Sequence, residues 1–413
     1  MAESCTLKTN MDNVLVEKNK IAILVKSLTW VFLIFIPFDN SIYQISSVLI
    51  VLLFLYLIFR DNCSLDFFKQ NKSLCVIVVL LLMAMSAANT SGDAGVGGWI
   101  LEGQFIYRFI LIVFAVHFFM ENNYLPLETL ILIVIVAIGI QCINGLSEFI
   151  FNVDLLRNRE VGIARFDSGT SNPNTFGMIL IPLIVILFDL LYNYKKYHIE
   201  LYQKILILFL FGVSLLCMNL TSSRGAFLGL VSALTIYLGF NIKRFWYLAG
   251  IISIIAVLVI FLSWNGNEPL YSRFTLAAIE GDLRFQIWKN AIDIFLEYPI
   301  FGYGLSDELV YFSDNGAVLI RFPHNSILEV AVHTGVFGVI AFGSLIGLVF
   351  FRVMQIVSLT PSPLSIFTGL LVAGLFDHAV FTNSTYLSIW AVFMGYVFWA
   401  TAPEERVKDR KSG

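Results

Sequence analysis

The sequence predicts an all-α polytopic membrane protein, and three observations carry that prediction. Hydrophobic residues make up 58% of the 413 and charged residues only 13%, about half the charge fraction of a soluble domain. Mean hydropathy is +0.83. Apolar runs long enough to cross about 30 Å of hydrocarbon recur along the whole chain. A β-barrel would alternate in segments of about ten residues, and runs such as Ile131-Leu-Ile-Val-Ile-Val-Ala-Ile do not alternate.

The runs fall near 21–37, 43–59, 74–89, 105–119, 127–147, 174–192, 203–220, 225–240, 246–263, 326–351, 363–381 and 385–401, which gives about twelve transmembrane helices in a single integral membrane domain over 1–413. The run at 105–119 is short for a full span. Basic residues set the orientation. With the N-terminus and C-terminus inside, the inner pieces hold 17 of the 26 basic residues, and lysine outnumbers arginine there 12 to 5. The other nine are eight arginines and Lys289. Topology needs only positive charge, so arginine on the outer face suggests use of its planar fork for phosphate or carboxylate. Chance in a small count gives the same figures.

Several classes are set aside. The first twenty residues are polar and no small-residue cleavage site follows the first apolar run, so the first helix reads as retained. The five cysteines fall in inner or membrane positions, which implies no disulfide framework. No Cys/His cluster has metal spacing, and neither a P-loop nor a dinucleotide fingerprint is present. Neither metal, cofactor nor nucleic acid is expected.

Two outer segments are large. The first, 148–173, carries Arg157, Arg159, Arg165 and Asp167 and closes in the turn-rich Gly169-Thr-Ser-Asn-Pro-Asn. The second, 264–325, lies between the ninth and tenth expected helices. Its middle reads as an amphipathic helix with Asp282 as N-cap. Arg284, Trp288, Ala291 and Phe295 share one face, and Pro299 ends the helix before the glycine-rich Phe301-Gly-Tyr-Gly. Such a helix can lean on lipid or simply cover the bundle.

Four residues approach one side of the membrane: Arg165, Arg224, Arg284 and His324. Arg224, in Leu220-Thr-Ser-Ser-Arg-Gly-Ala, sits between two apolar runs with almost no loop. An arginine in hydrocarbon costs about 3 kcal/mol on insertion scales, so it needs a partner, a cavity or the headgroups. Gly225 and Ala226 would let a backbone or a ligand come close, and the arginine beside them tilts the reading to a ligand. Arg108, in Phe105-Ile-Tyr-Arg, reads as structural and paired, with Glu148 or Asp377 as partners. His324, in Arg321-Phe-Pro-His-Asn-Ser, ends the long outer segment and opens an apolar helix. It is either an interfacial histidine or a catalyst. Imidazole titrates near neutral pH and takes a proton from an attacking hydroxyl. Arginines hold a diphosphate and neutralise the charge growing on it as it leaves. His333 reads as a core histidine, and His378 follows Asp377 near an outer helix end.

These residues together resemble the bacterial O-antigen ligases, within a superfamily that includes the O-antigen polymerases and the protein O-oligosaccharyltransferases. Arg224-Gly-Ala-Phe-Leu228 resembles the family's Arg-x-x-x-Leu. Arg284-Phe-Gln-Ile-Trp288, Ala291 and Pro299-Ile-Phe-Gly-Tyr-Gly304 resemble its loop-helix signature. His324-Asn325, with Gly335 and Gly338, is similar to its histidine motif. Arg165 with Gly169 and Asn174 resembles the segment before a middle helix, and Asp377 sits where ligases often carry an acid. The layout, about twelve helices and a large late periplasmic loop, matches over most of the chain.

The resemblance implies a GT-C type glycosyltransferase of the bacterial inner membrane, working without metal on the periplasmic face. It implies an undecaprenyl diphosphate-linked O-antigen as donor, a sugar of the lipid A core as acceptor and membrane lipids as surroundings. Carried over, Arg224 and Arg284 grip the diphosphate and His324 activates or positions the acceptor hydroxyl for an inverting displacement. Arg165, Asn325, Arg321, Trp288 and Asp377 fall to substrate binding. Two alternatives stand beside the ligase. An O-antigen polymerase uses the same donor to join repeat units. A lipid-linked sugar flippase would keep its arginines through the membrane depth, whereas here they gather at one face.

Overall fold

The structure is a computed structural model that describes residues 2–36, 41–60, 64–91, 95–160, 166–170, 172–240, 284–306, 309–313, 316–320, 323–376, 381 and 383–402. In chain order the helices are α1 (Ala2–Phe35), α2 (Ser41–Arg60), the short α3 (Ser64–Gln70), α4 (Lys72–Ser91) and α5 (Gly95–Phe105). A π-helical turn (Ile106–Ile110) joins α5 to α6 (Leu111–Glu121). There follow α7 (Leu127–Phe151), α8 (Pro173–Tyr192), α9 (Leu201–Leu220), α10 (Arg224–Phe240), α11 (Arg284–Glu297), α12 (Ser326–Ile356), α13 (Ser362–Phe376) and α14 (Ser384–Ala400). Among the described residues, seven segments are long and apolar enough to cross a membrane, and α10, α13 and α14 are shorter apolar helices. The chain is an all-α, multi-pass membrane protein. Eleven of the twelve expected spans fall on helices, and the run at 246–263 lies outside the described residues.

Two details differ from the expectation. The short run at 105–119 belongs to a span that starts at Val96 and continues to Glu121. Glu102 and three glycines hide its first half in the hydropathy. The Glu102 carboxylate is buried because Ser86 Oγ donates to it at 2.6 Å and Asn89 Nδ2 at 2.9 Å. The segments between α7 and α8 and between α11 and α12 also carry two antiparallel ribbons, β1 (Val153–Asp154) with β2 (Arg159–Glu160), and β3 (Leu309–Ser313) with β4 (Gly316–Ile320).

Small residues bring α10 against α13. Gly225, Gly229 and Ala233 recur every four residues, the spacing that lets membrane helices approach closely. A side chain at Gly229 would collide with the Gly369 carbonyl, and one at Gly225 would sit 2.9 Å from Phe376 Cβ. The glycine after Arg224 therefore admits a neighbouring helix, where the sequence had pointed to a ligand.

The second shaping device is a break in α12. Gly335 lies at φ +60° and ψ −162°, outside helical space. The amide of Val336 donates to Pro299 O at 2.9 Å rather than to the preceding turn. The freed carbonyls of Val332 and His333 accept from Tyr303 N at 2.8 Å and Gly304 N at 3.1 Å. Residues 299–304 thus lace into the break, and Gly302, at φ +78°, lies so close to the 333–334 backbone that a side chain would collide with it. This satisfies backbone groups that hydrocarbon would leave stranded.

At the opposite end of α8, the Asp189 carboxylate accepts from Tyr237 Oη, from Asn193 Nδ2 at 2.7 Å and from Tyr197 Oη at 2.9 Å. Burial and that neighbouring carboxylate push the Tyr197 phenol well up, so it stays a donor at neutral pH.

Candidate active site

His324 follows the buried Pro323 and directly precedes the helix cap Asn325. Its φ is +49°, left-handed backbone that costs a non-glycine residue about 1–2 kcal/mol. Glycine or asparagine would be easier here, so the imidazole is carried at a backbone cost. The side chain is half-buried. Asn325 then starts α12: its Oδ1 accepts from Ile327 N and Leu328 N, both at 3.0 Å. Its Nδ2 donates to Leu375 O at 3.0 Å. Asn325, expected at the substrate, thus has cap and tie roles for both atoms of its amide.

The C-terminal end of α13 is a meeting point. Leu375 receives Asn325, and Phe376 packs at Gly225, the residue after Arg224. The residues that directly follow Arg224 and His324 therefore both touch the last turn of α13. Arg224 is the first residue of α10, half-buried. The turn before it holds Ser222 at φ +50°, and Ser223 Oγ accepts from Ala226 N at 3.3 Å, which caps the helix. The N-terminus of α8 joins the same end: Gly177 faces Ala226, and Thr175 Oγ1 accepts from Asn383 Nδ2 of the α14 cap at 2.7 Å. Four helix N-termini thus gather at one end of the bundle. Their unsatisfied amides and dipoles favour an anion there, as arginines do.

Arg284 is the first residue of α11, and α11 packs on the N-terminal part of α12. Ala291 and Val332 form a small cluster with Ile294, Phe295, Tyr303 and Leu328. Since Pro299 meets Val336 and Ala291 meets Val332, the two helices run in the same general direction. Arg284 accordingly lies toward the end of α12 that carries His324. Trp288, one turn on, meets Phe285 edge to face at 5.7 Å.

Three buried polar atoms in this region have no hydrogen-bond partner: Trp288 Nε1, Asn290 Nδ2 and Ser326 Oγ. Buried donors are nearly always paired, so each calls for a polar ligand or water. Asn290 and Ser326 were not legible as site residues. A polar residue inside an amphipathic helix and a serine after a cap carry no signal of their own.

The loop after α7 forms a knot. One carboxylate oxygen each of Glu148, Asp154 and Asp167 lies within 4.8 Å of the others. Cations that favour oxygen use such groups. Here the oxygens already accept from backbone amides. Glu148 takes Asp167 N at 3.1 Å and Ser168 N at 3.0 Å, and Asp154 takes Leu156 N at 3.1 Å and Arg157 N at 3.0 Å. Asp167 takes Gly169 N at 2.9 Å. The arrangement closes the loop that leads to α8.

Of the two partners expected for Arg108, Glu148 accepts from the amides of Asp167 and Ser168, and Asp377 lies outside the described residues. Arg108 is buried in the π-helical turn, over the rings of Tyr43 and Tyr107 at 5.6 and 5.4 Å, and its Nε donates to Tyr107 Oη at 2.9 Å. His333 is a core histidine: fully buried, with Nδ1 2.8 Å from Gly304 O and its ring edge-on to Phe381. Arg165, Arg321, Asp377 and His378 lie outside the described residues.

Residues 206–343 match the family model described as O-antigen ligase. The match runs from within α9 across Arg224, Arg284 and His324 to the middle of α12. No curated protein matches the chain.

Proposed function

We propose, from the premise that this chain belongs to the O-antigen ligase/polymerase superfamily, that it is an O-antigen ligase acting on lipid-linked polysaccharide. The coarse activity is that of a glycosyltransferase-like membrane enzyme. The finer reading has the donor as an O-antigen on undecaprenyl diphosphate and the acceptor as a sugar of the lipid A core, at the periplasmic face of the inner membrane. The observation that carries it is the strained placement of His324, half-buried beside the helix end that also receives Arg224.

In this mechanism the acceptor hydroxyl attacks the donor's anomeric carbon from the face opposite the diphosphate. The new glycosidic bond forms as the bond to the diphosphate oxygen breaks. His324 takes the hydroxyl proton or accepts a hydrogen bond from it. Arg224 and Arg284, with the helix N-termini, stabilise the charge that grows on the departing diphosphate. Arg165, Arg321 and Asp377 are assigned to substrate binding on the resemblance, and the Trp288 N–H supplies a donor for a substrate oxygen.

The test is lipopolysaccharide from a host carrying His324→Ala or Arg284→Ala. Loss of the O-antigen ladder at normal protein level is expected, and an unchanged ladder overturns the reading. Deletion separates ligase from polymerase. Ligase loss leaves long polymer on its lipid carrier and bare core, whereas polymerase loss leaves core capped with one repeat.

A further inference from the structure

α11 has two apolar faces. The face holding Ala291 and Phe295 turns inward onto α12. A second face carries Phe285, Ile292 and Leu296, exposed by 59, 45 and 66%. At 100° per residue these three fall within an arc of about 40°. Gln286, Asp293 and Glu297 occupy the next arc, and Lys289 stands between the two with a stem that reaches sideways.

The exposed stripe does not stop with the helix. Beyond it, Phe301 stacks flat on Phe337, with ring centroids 5.5 Å apart and planes 9° apart. Phe337 and the exposed Ile340 belong to the α12 segment that is long and apolar enough to span the membrane. One apolar surface therefore runs from a membrane-spanning helix onto α11.

We propose that this stripe of α11 is an immersed surface covered by the hydrocarbon of the bilayer. α11 is then part of the membrane wall, and its acidic arc is turned away from the hydrocarbon. The continuity with α12 selects lipid over a protein partner. A lipid-facing helix surface needs no complementary partner, and its polar edge is one arc wide. Because the stripe begins at Phe285, the neighbouring Arg284 stands at the edge of the hydrocarbon, at the level of lipid phosphates. The sequence left open whether this helix leans on lipid or covers the bundle, and the face it singled out was the one holding Trp288, Ala291 and Phe295. The structure turns that face partly inward and gives the role to the residues beside it.

The experiment places single spin labels, through cysteine, at Phe285, Ile292 and Leu296 and at Gln286, Asp293 and Glu297. The full chain, with its natural cysteines replaced by serine, is reconstituted in phospholipid nanodiscs. Collision with oxygen is compared with collision with a water-soluble nickel chelate. The expected result is oxygen dominance at the first three sites and nickel dominance at the other three, alternating with the helical period. Equal nickel access at all six overturns the proposal. So does low access to both agents at the stripe, which would show a protein cover such as a second copy. All six positions are exposed, so the labels disturb no core packing. The readout is independent of activity, so its failure is distinct from failure of the ligase reading.

Discussion

The side-chain amide of Asn325 donates to the carbonyl of Leu375 across 3.0 Å, while its oxygen caps the first turn of α12. One residue thus fixes both the start of the histidine-bearing helix and its distance from α13. Removing the cap costs about 1 kcal/mol, and the tie adds roughly another. Asn325→Ala is expected to lower the melting temperature in detergent and to weaken the O-antigen ladder. Asn325→Asp keeps the capping oxygen and loses the donor, so it should fall between Asn325→Ala and the parent. Equal melting of all three would show that neither bond matters.

His324 separates backbone from chemistry. Asparagine accepts left-handed backbone more readily than histidine does. His324→Asn should therefore keep or slightly raise stability while transfer falls by about 100-fold or more, the usual contribution of a positioned acid or base. Thermal unfolding and in vitro transfer on the same preparation check this. A variant that melts early would return the residue to a structural role.

Gly335→Ala is expected to destabilise by about 2 kcal/mol or more, because its backbone is close to glycine-only space and a side chain would meet the Ile300 carbonyl. At Gly343, lower on the same helix, a Cβ would have open space, with nothing within 4 Å. Gly343→Ala should be neutral or gain up to about 1 kcal/mol. Comparing the two melting curves tests the break itself rather than glycine content.

Asp189→Ala should separate stability from catalysis. It strands the donors of Tyr237, Tyr197 and Asn193, which costs about 3 kcal/mol in total. The Asp189 cluster lies at the far end of α8 from the Thr175–Asn383 contact. Protein level should fall at elevated temperature while transfer per folded molecule holds. A specific loss of transfer in fully folded protein would contradict this.

Most helices were legible because hydrocarbon imposes a length and a composition that show in any window. What the sequence hid has local causes. The break at Gly335 is one glycine in an apolar run, and only the arrival of residues 299–304 reveals its use. Gly225, beside Arg224, looked like room for a backbone or a ligand, and it serves a backbone: the contact with α13. The ribbon of β3 and β4 had a readable signal in the sequence, the turn-forming Asp-Asn-Gly run at 314–316 between two apolar stretches. The arginine and histidine positions were legible through chemistry. The buried donors of Asn290 and Ser326 were not, because burial of a polar atom is decided by what packs around it.

The interruption of α12 also bears on how the molecule assembles. The segment 326–334 is too short to hold a helix by itself, and its last carbonyls are claimed by a strand of chain that was synthesised earlier. The N-terminal third of α12 and α11 are thus halves of one folding block, bridged covalently only through the ribbon and its flanks. A chain cut between 305 and 323 would keep that block through backbone bonds, so two separately expressed fragments should find each other in the membrane and reconstitute one protein.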